Sequence, residues 1–179
     1  MIDLSVLVPA EGEPDAGVAM GRVARAVASL GCAVEILCIT PDAQLTGLPA
    51  DASVTMLPPS GPGYGAALAT GLARARGTWV LTIDADILDV SRVVPDLWAR
   101  RHDAEVVIGS RYIAGGSVEM PWWRRIGSRL LNGTFGRGLS LGVRDMSSGV
   151  RLYRRAVLEA AGPPVSYTHL RAHETVLDL

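Results

Sequence analysis

The sequence predicts an α/β fold in which a mostly parallel sheet is covered by helices on both faces, and three observations carry that expectation. Strand-length apolar runs alternate with helical patterns along the chain. The runs are mostly unbroken, as in strands buried on both faces, and polar residues gather where they end. In sheets of this kind ligands sit at the carboxyl ends of the strands, so those polar clusters are where chemistry is expected.

The first strand is expected over Leu4 to Val8, closed by Pro9, and a helix over Val18 to Leu30 with Val23, Val27 and Leu30 on its apolar side and Gly31 as its stop. Apolar runs Val34 to Ile39 and Val54 to Leu57 end at Thr40-Pro41-Asp42 and Pro58-Pro59, which makes a βαββ beginning. The segment GPGYGAALATGLARARG reads as a turn followed by an Ala-rich helix ending near Gly77, and Trp79 to Ile83 as a strand with two carboxylates at its end. A helix fits Val93 to Arg101 and a strand Glu105 to Ile108, leading into Gly109-Ser110-Arg111-Tyr112. A helical pattern then runs from Trp122 through Phe135. Gly-rich loops lead from it to Asp145 to Gly149 and a last helix near Arg154 to Ala161. The polar clusters at strand ends are Glu11 with Glu13, Asp42, Asp84 with Asp86, and Ser110 with Arg111.

Composition narrows the function classes. A chain of 179 residues, 49% hydrophobic and 20% charged, fits one globular domain, and a net charge of -1 gives no case for a nucleic-acid partner. All 17 basic residues are arginines, which excludes a Walker phosphate loop and Schiff-base chemistry, since both need a lysine. Cys32 and Cys38 have no His or Cys partner at metal-ligand spacing and are expected to be reduced core residues. With no run of 18 apolar residues and no basic segment ahead of an apolar one, a cytoplasmic protein is expected. Residues 1–164 are read as one domain, incomplete at its C-terminal end. Residues 165–179, beginning VSYTHLRAHET, resemble a translated sequencing adapter and are set aside as non-native, His169, His173 and Glu174 included.

Side chains alternate faces along a strand, so Asp84 and Asp86 converge only where the chain leaves it. Two hard oxygen ligands there suit Mg²⁺ or Mn²⁺, with positions left for a diphosphate; solvated loop carboxylates are the alternative, and Asp89 close by weakens it. Gly61, Gly63 and Ala66 also satisfy the GxGxxA dinucleotide fingerprint, with Asp84 standing 18 residues after Ala66. Against that, the loop follows the third strand signal, and its acid belongs to a DxD where one carboxylate would suffice. The glycines, Gly71 above all, can also serve only to pack an Ala-rich helix on the sheet.

Taken in order, SVLVPAEGE, GPGYGAALATGLARARGTWVLTIDADILD, VVIGSRYIAGGS, PWWRRIGSRLLN and RDMSSGVRLYRR resemble the family 2 glycosyltransferases of the GT-A fold, in the polyprenyl-phosphate (dolichol-phosphate mannose synthase-like) branch, from about Leu4 to Leu158. The resemblance implies a nucleotide-sugar donor, a GDP- or UDP-sugar, and a lipid phosphate acceptor reached by peripheral contact at the cytoplasmic face of the membrane. It implies donor-nucleotide binding by Pro9, Ala10, Glu11, Glu13, Asp42, Gly63, Gly65 and Asp84, and metal and diphosphate binding by Asp84 and Asp86. Phosphate contacts would come from Arg111, Ser128 and Arg129, with Arg111 counted beside Asp84 and Asp86 as catalytic. Guanidinium groups suit phosphate independently of any resemblance, so Arg111, Arg124, Arg125 and Arg129 make chemical sense before an anionic lipid head. Trp122 and Trp123 suit either a lipid-water boundary or core packing.

The chain departs from the family pattern in three places. Thr40-Pro41-Asp42 replaces an Asp-Asp-Gly-Ser type turn, Leu88 stands where a polar residue is common, and Glu11-Gly12 stands where an aromatic and Asn are common. The expected reaction is an inverting transfer in which a polyprenyl phosphate oxygen attacks the anomeric carbon; that nucleophile is already anionic, so no catalytic His is needed. Two other classes compete: a sugar-nucleotide nucleotidyltransferase, disfavoured because VPAEGEP lacks its Gly-rich basic segment, and a non-catalytic nucleotide-sugar-binding protein of the same fold.

Overall fold

In the computed structural model, which describes residues 1–41, 53–85, 90–109 and 149–161, the first strand, β1 (Leu4–Pro9), is buried along its whole length. That is why its sequence is apolar apart from Ser5: a central strand has no solvent face on which to leave polar side chains unpaired. It pairs in parallel with β2 (Val34–Ile39) on one side and β4 (Trp79–Thr82) on the other, in the registers Val6↔Ile36 and Val6↔Leu81. β3 (Val54–Leu57) adds to the outside of β2, and its half-exposed residues fit that edge position. Beyond β4 lie β6 (Arg151–Arg154) and then β5 (Val106–Ile108), giving the order β3-β2-β1-β4-β6-β5. β6 is antiparallel to both of its neighbours, and every other pairing is parallel.

Helices cover both faces, as expected. α1 (Ala16–Ala28) and α3 (Val90–Ala99) bury Met20, Val23, Val94 and Leu97 against Val6, Val8, Leu81 and Leu152. On the opposite face α2 (Tyr64–Arg74) and α4 (Arg155–Ala161) lie over Leu7, Leu37, Ile39 and Val80. Each fully buried Leu, Ile or Val contributes roughly 1.5–3 kcal/mol, so the two clusters supply the main driving force for closing this layered structure. α2 sits close to the sheet because Gly71 has no side chain: a Cβ there would stand 3.0 Å from Ile39 Cδ1 and 3.2 Å from Leu7. Both cysteines are free thiols, and burial pushes that of Cys38 up to about 11, so it stays protonated as an apolar core group.

The elements expected from the sequence are present among the described residues, with shifted ends. α1 begins at Ala16 and α3 at Val90, each earlier than its periodicity suggests, and α2 stops at Arg74, short of Gly77. β6 was not expected as a strand. Its residues bury only Leu152 fully while Arg154 is exposed, so it offers no apolar run, and it continues directly into α4. The helical pattern from Trp122, residues Asp42, Asp86, Asp89, Arg111, Ser128 and Arg129, and the tail 165–179 lie outside the described residues.

Candidate functional site

β1 and β4 are neighbours, yet the chain passes from β1 to β2 and β3 on one side before returning to β4 on the other. The strand order therefore reverses between them, and in an open parallel sheet the crevice outside the carboxyl ends at such a point is where ligands bind. Ala10 and Glu11 follow β1 there, and Ile83 and Asp84 follow β4.

At the end of β1, Pro9 and Ala10 are buried, and the Ala10 N–H donates to the Ile39 carbonyl at 2.9 Å. The polar side chains come next: Glu11 and Glu13 are exposed, separated by Gly12 at a φ of 76°, a left-handed turn that favours glycine. Glu11 reaches across to the glycine loop, where its carboxylate accepts the N–H of Gly63 at 3.0 Å. Gly63 stands immediately before α2 with a φ of 88°, so this turn also depends on a residue without a Cβ. Gly65 is buried one residue inside the helix.

At the end of β4 the register decides which way the acid points. Trp79 and Leu81 face the α1 side and Val80 faces the α2 side, so continued alternation sends Thr82 and then Asp84 toward α2. There the hydroxyl of Tyr64, the first residue of α2, donates to Asp84 Oδ1 at 2.8 Å. Burial pushes the Tyr64 phenol far up, and the Asp84 carboxylate, the hydrogen bond to it and Tyr153 push the same way while Arg151 opposes them. Tyr64 is thus a neutral hydrogen-bond donor at any physiological pH. Gly149 closes another side of the acid: a Cβ built on it would overlap the Asp84 carboxylate. The position of Gly149 is held in turn by the buried Thr82, whose hydroxyl donates to its carbonyl at 2.9 Å.

The structure thus gathers Glu11, Gly63 and Asp84 at one crevice and places Pro9, Ala10 and Gly65 in the packing behind it. Glu13 lies on the exposed turn after β1, while Asp42, Asp86, Arg111, Ser128 and Arg129 are outside the described residues. The glycine loop follows β3, whereas a dinucleotide fingerprint follows the first strand of its unit, so the topology removes that rival for GxGxxA. Tyr64, Thr82 and Gly149 were missed. Tyr64 was hidden inside a Gly-Tyr-Gly step read for its backbone alone, although Gly149 could have been noticed as the end of the RDMSSG segment.

A metal ion fits the donor chemistry of this place. Asp84 presents a hard carboxylate of the kind that Mg²⁺ and Mn²⁺ take, at the end of a strand facing the crevice. Among the described residues no cluster of three His, Cys, Asp or Glu forms a complete ligand set. A cavity of about 400 Å³ opens instead at the amino ends of the strands, bordered by Asp3, Cys32, Trp79, Trp98 and His102. Its acid already accepts the Ala33 N–H at 2.9 Å, and it lies at the end of the sheet where ligands are not expected.

Comparison with known proteins identifies the family and the fold. The family described as Glycosyl transferase family 2 matches residues 49–162, more than half of the chain. The undecaprenyl-phosphate 4-deoxy-4-formamido-L-arabinose transferase of Pseudomonas aeruginosa (strain LESB58) is 33% identical over 98 residues, which is 55% of this chain and 28% of that protein. The polyprenol monophosphomannose synthase of Mycolicibacterium smegmatis is 47% identical over 58 residues, 31% of this chain and 22% of that one. The chain therefore spans less than a third of the length of these relatives. Among solved structures, glucosyl-3-phosphoglycerate synthase from Mycobacterium tuberculosis, in complex with Mn²⁺, uridine-diphosphate and glucosyl-3-phosphoglycerate, superposes with a TM-score of 0.61 at 21% identity. That match covers 88% of this chain and 58% of the synthase. At that identity the likeness carries the fold alone, and it bears out the GT-A architecture. No helix among the described residues is long and apolar enough to cross a membrane.

Proposed function

The chain belongs to glycosyl transferase family 2, and from that premise we propose that it takes part in metal-dependent, inverting transfer of a sugar from a nucleotide-sugar donor to a polyprenyl phosphate. The observation that carries the proposal is the position of Asp84. It lies at the carboxyl end of β4, where the strand order reverses, with its side chain turned toward the glycine loop that also holds Glu11. The names of the curated relatives, both of which are transferases or synthases on polyprenyl carriers, support the acceptor class.

Within this proposal Asp84 and Asp86 hold Mg²⁺ or Mn²⁺ and the donor diphosphate. When bound, the metal neutralises charge on the departing nucleoside diphosphate. Glu11, Glu13 and Asp42 bind the nucleoside of a GDP- or UDP-sugar, with Pro9, Ala10, Gly63 and Gly65 shaping the wall behind them. Arg111, Ser128 and Arg129 hold the acceptor phosphate, whose oxygen is anionic at neutral pH and attacks without a strong general base. The lipid acceptor places the protein peripherally at the cytoplasmic face of the membrane.

A radiolabelled transfer assay with GDP- and UDP-sugars, polyprenyl phosphate and Mn²⁺, using the complete gene product, tests the proposal. Transfer should occur with Mn²⁺, stop with a chelator, and fall at least about 100-fold in Asp86→Ala, the scale of losing a main electrostatic stabiliser. Near-normal, metal-dependent transfer by Asp86→Ala would refute the assigned role, and hydrolysis or binding without transfer would refute the acceptor.

A further inference from the structure

Asp84 stands two residues past the end of β4, and the alternation of the strand turns it toward the α2 side. The orientation of its carboxylate on that side is fixed by contacts made from elsewhere in the chain. The Tyr64 hydroxyl reaches Oδ1 at 2.8 Å from the first turn of α2, and Gly149 leaves room for the carboxylate only because it lacks a Cβ. The preceding residue, Gly63, donates its N–H to Glu11 at 3.0 Å. Two consecutive residues therefore tie together the acids that follow β1 and β4, across the crevice between those strands. The tie to Asp84 is made by a neutral group. An Arg at position 64 would also orient the carboxylate, but its charge would compete with a cation for the same oxygens.

We propose that Tyr64 is a positioning residue for Asp84, holding the carboxylate in the orientation in which it binds a divalent cation while leaving its charge intact. The proposal rests on the donor-site assignment made above. Carboxylates that ligate metals are commonly held in this way by a second hydrogen-bond partner, and removal of such a partner typically weakens metal binding about 10–100-fold.

Mn²⁺ titrated into the 179-residue chain and followed by water-proton relaxation tests it, with Tyr64→Phe, Asp84→Asn and the double variant measured beside the wild type. Phe keeps the ring and its packing and removes only the hydroxyl. Mn²⁺ affinity should fall about ten-fold or more in Tyr64→Phe with the melting temperature nearly unchanged, and should be lost in Asp84→Asn. Adding Tyr64→Phe to Asp84→Asn should have no further effect on Mn²⁺ binding. Wild-type affinity in Tyr64→Phe, with loss in Asp84→Asn, overturns the positioning role and leaves the donor-site assignment standing. So does a lowered melting temperature with unchanged Mn²⁺ affinity of the folded protein, the mark of a merely structural tyrosine. If wild type and Asp84→Asn bind Mn²⁺ alike, the donor-site assignment fails and the positioning role fails with it.

Discussion

Two partly buried carboxylates lie at opposite ends of the central sheet, and their surroundings differ in kind. At the amino end, Glu35 of β2 is held by its own chain. Ser5 donates its hydroxyl to Oε1 at 2.6 Å, the Arg76 N–H donates to the same oxygen at 2.7 Å, and the Arg76 guanidinium donates twice to Oε2 at 2.9 and 2.7 Å. At the carboxyl end, Asp84 accepts a neutral phenol and stands beside a glycine. Glu35 is thus held by four hydrogen bonds from the fold itself, which suits a structural role, whereas the hydrogen bond that Asp84 accepts from Tyr64 comes from a neutral group. A carboxylate is read as functional here from its end of the sheet and the kind of partner it has.

The largest expected effect on stability lies at the amino end. Gly77 donates its N–H to the buried Ser5 hydroxyl at 2.8 Å, and a Cβ there would stand 2.5 Å from the backbone nitrogen of Ser5. Because backbone cannot move aside as a side chain can, Gly77→Ala should cost about 3 kcal/mol, seen as a lower denaturant midpoint. A midpoint equal to wild type would show that the amino end is not the rigid side of the comparison.

Gly149→Ala should act differently. Its Cβ would meet the end of the Asp84 side chain, which can rotate away, so the protein should stay folded while Mn²⁺ affinity drops about ten-fold, or ~1.4 kcal/mol. Titration calorimetry beside a thermal melt separates these outcomes, and a large fall in melting temperature with full affinity would reverse the contrast between Gly77 and Gly149.

The smallest effect is a pH dependence. Burial acts to raise Glu35, but the hydrogen bonds from Ser5 and Arg76 outweigh it and hold the carboxyl below its ordinary value of 4.5. A group depressed in the folded state stabilises the protein above its unfolded pKa, and that contribution disappears as pH falls through the folded value. Wild type should therefore exceed Glu35→Gln in unfolding midpoint at neutral pH, and the gap should close in acid below 4.5. A gap independent of pH would mean that the ionised form is not what Ser5 and Arg76 hold. Arg76 is itself largely exposed, so its charge is screened by solvent and adds little.

What could be read in the sequence follows the range of the interactions. β1, β2 and the Asp84 position were legible because each announces itself locally, as a mostly apolar run or as an acid at the end of one. β6 was not, because Leu152 alone is fully buried there and the strand owes its existence to pairing with β4, whose last residue Thr82 it meets at Arg151. The partners of the two carboxylates were equally invisible. Tyr64 lies 20 residues from Asp84 and Arg76 lies 41 from Glu35, and nothing in either local pattern points to the other. Glu35 itself passed as one polar residue in an apolar strand.

The most direct test of the contrast between the two ends is calorimetric titration of UDP and of GDP, with and without Mn²⁺, into the wild-type chain, Asp84→Asn and Glu35→Gln. Nucleoside diphosphate binding should require Mn²⁺, weaken at least about ten-fold in Asp84→Asn, and remain as in wild type in folded Glu35→Gln. Unchanged, Mn²⁺-dependent binding by Asp84→Asn would contradict the assignment of the donor site to the carboxyl ends of β1 and β4.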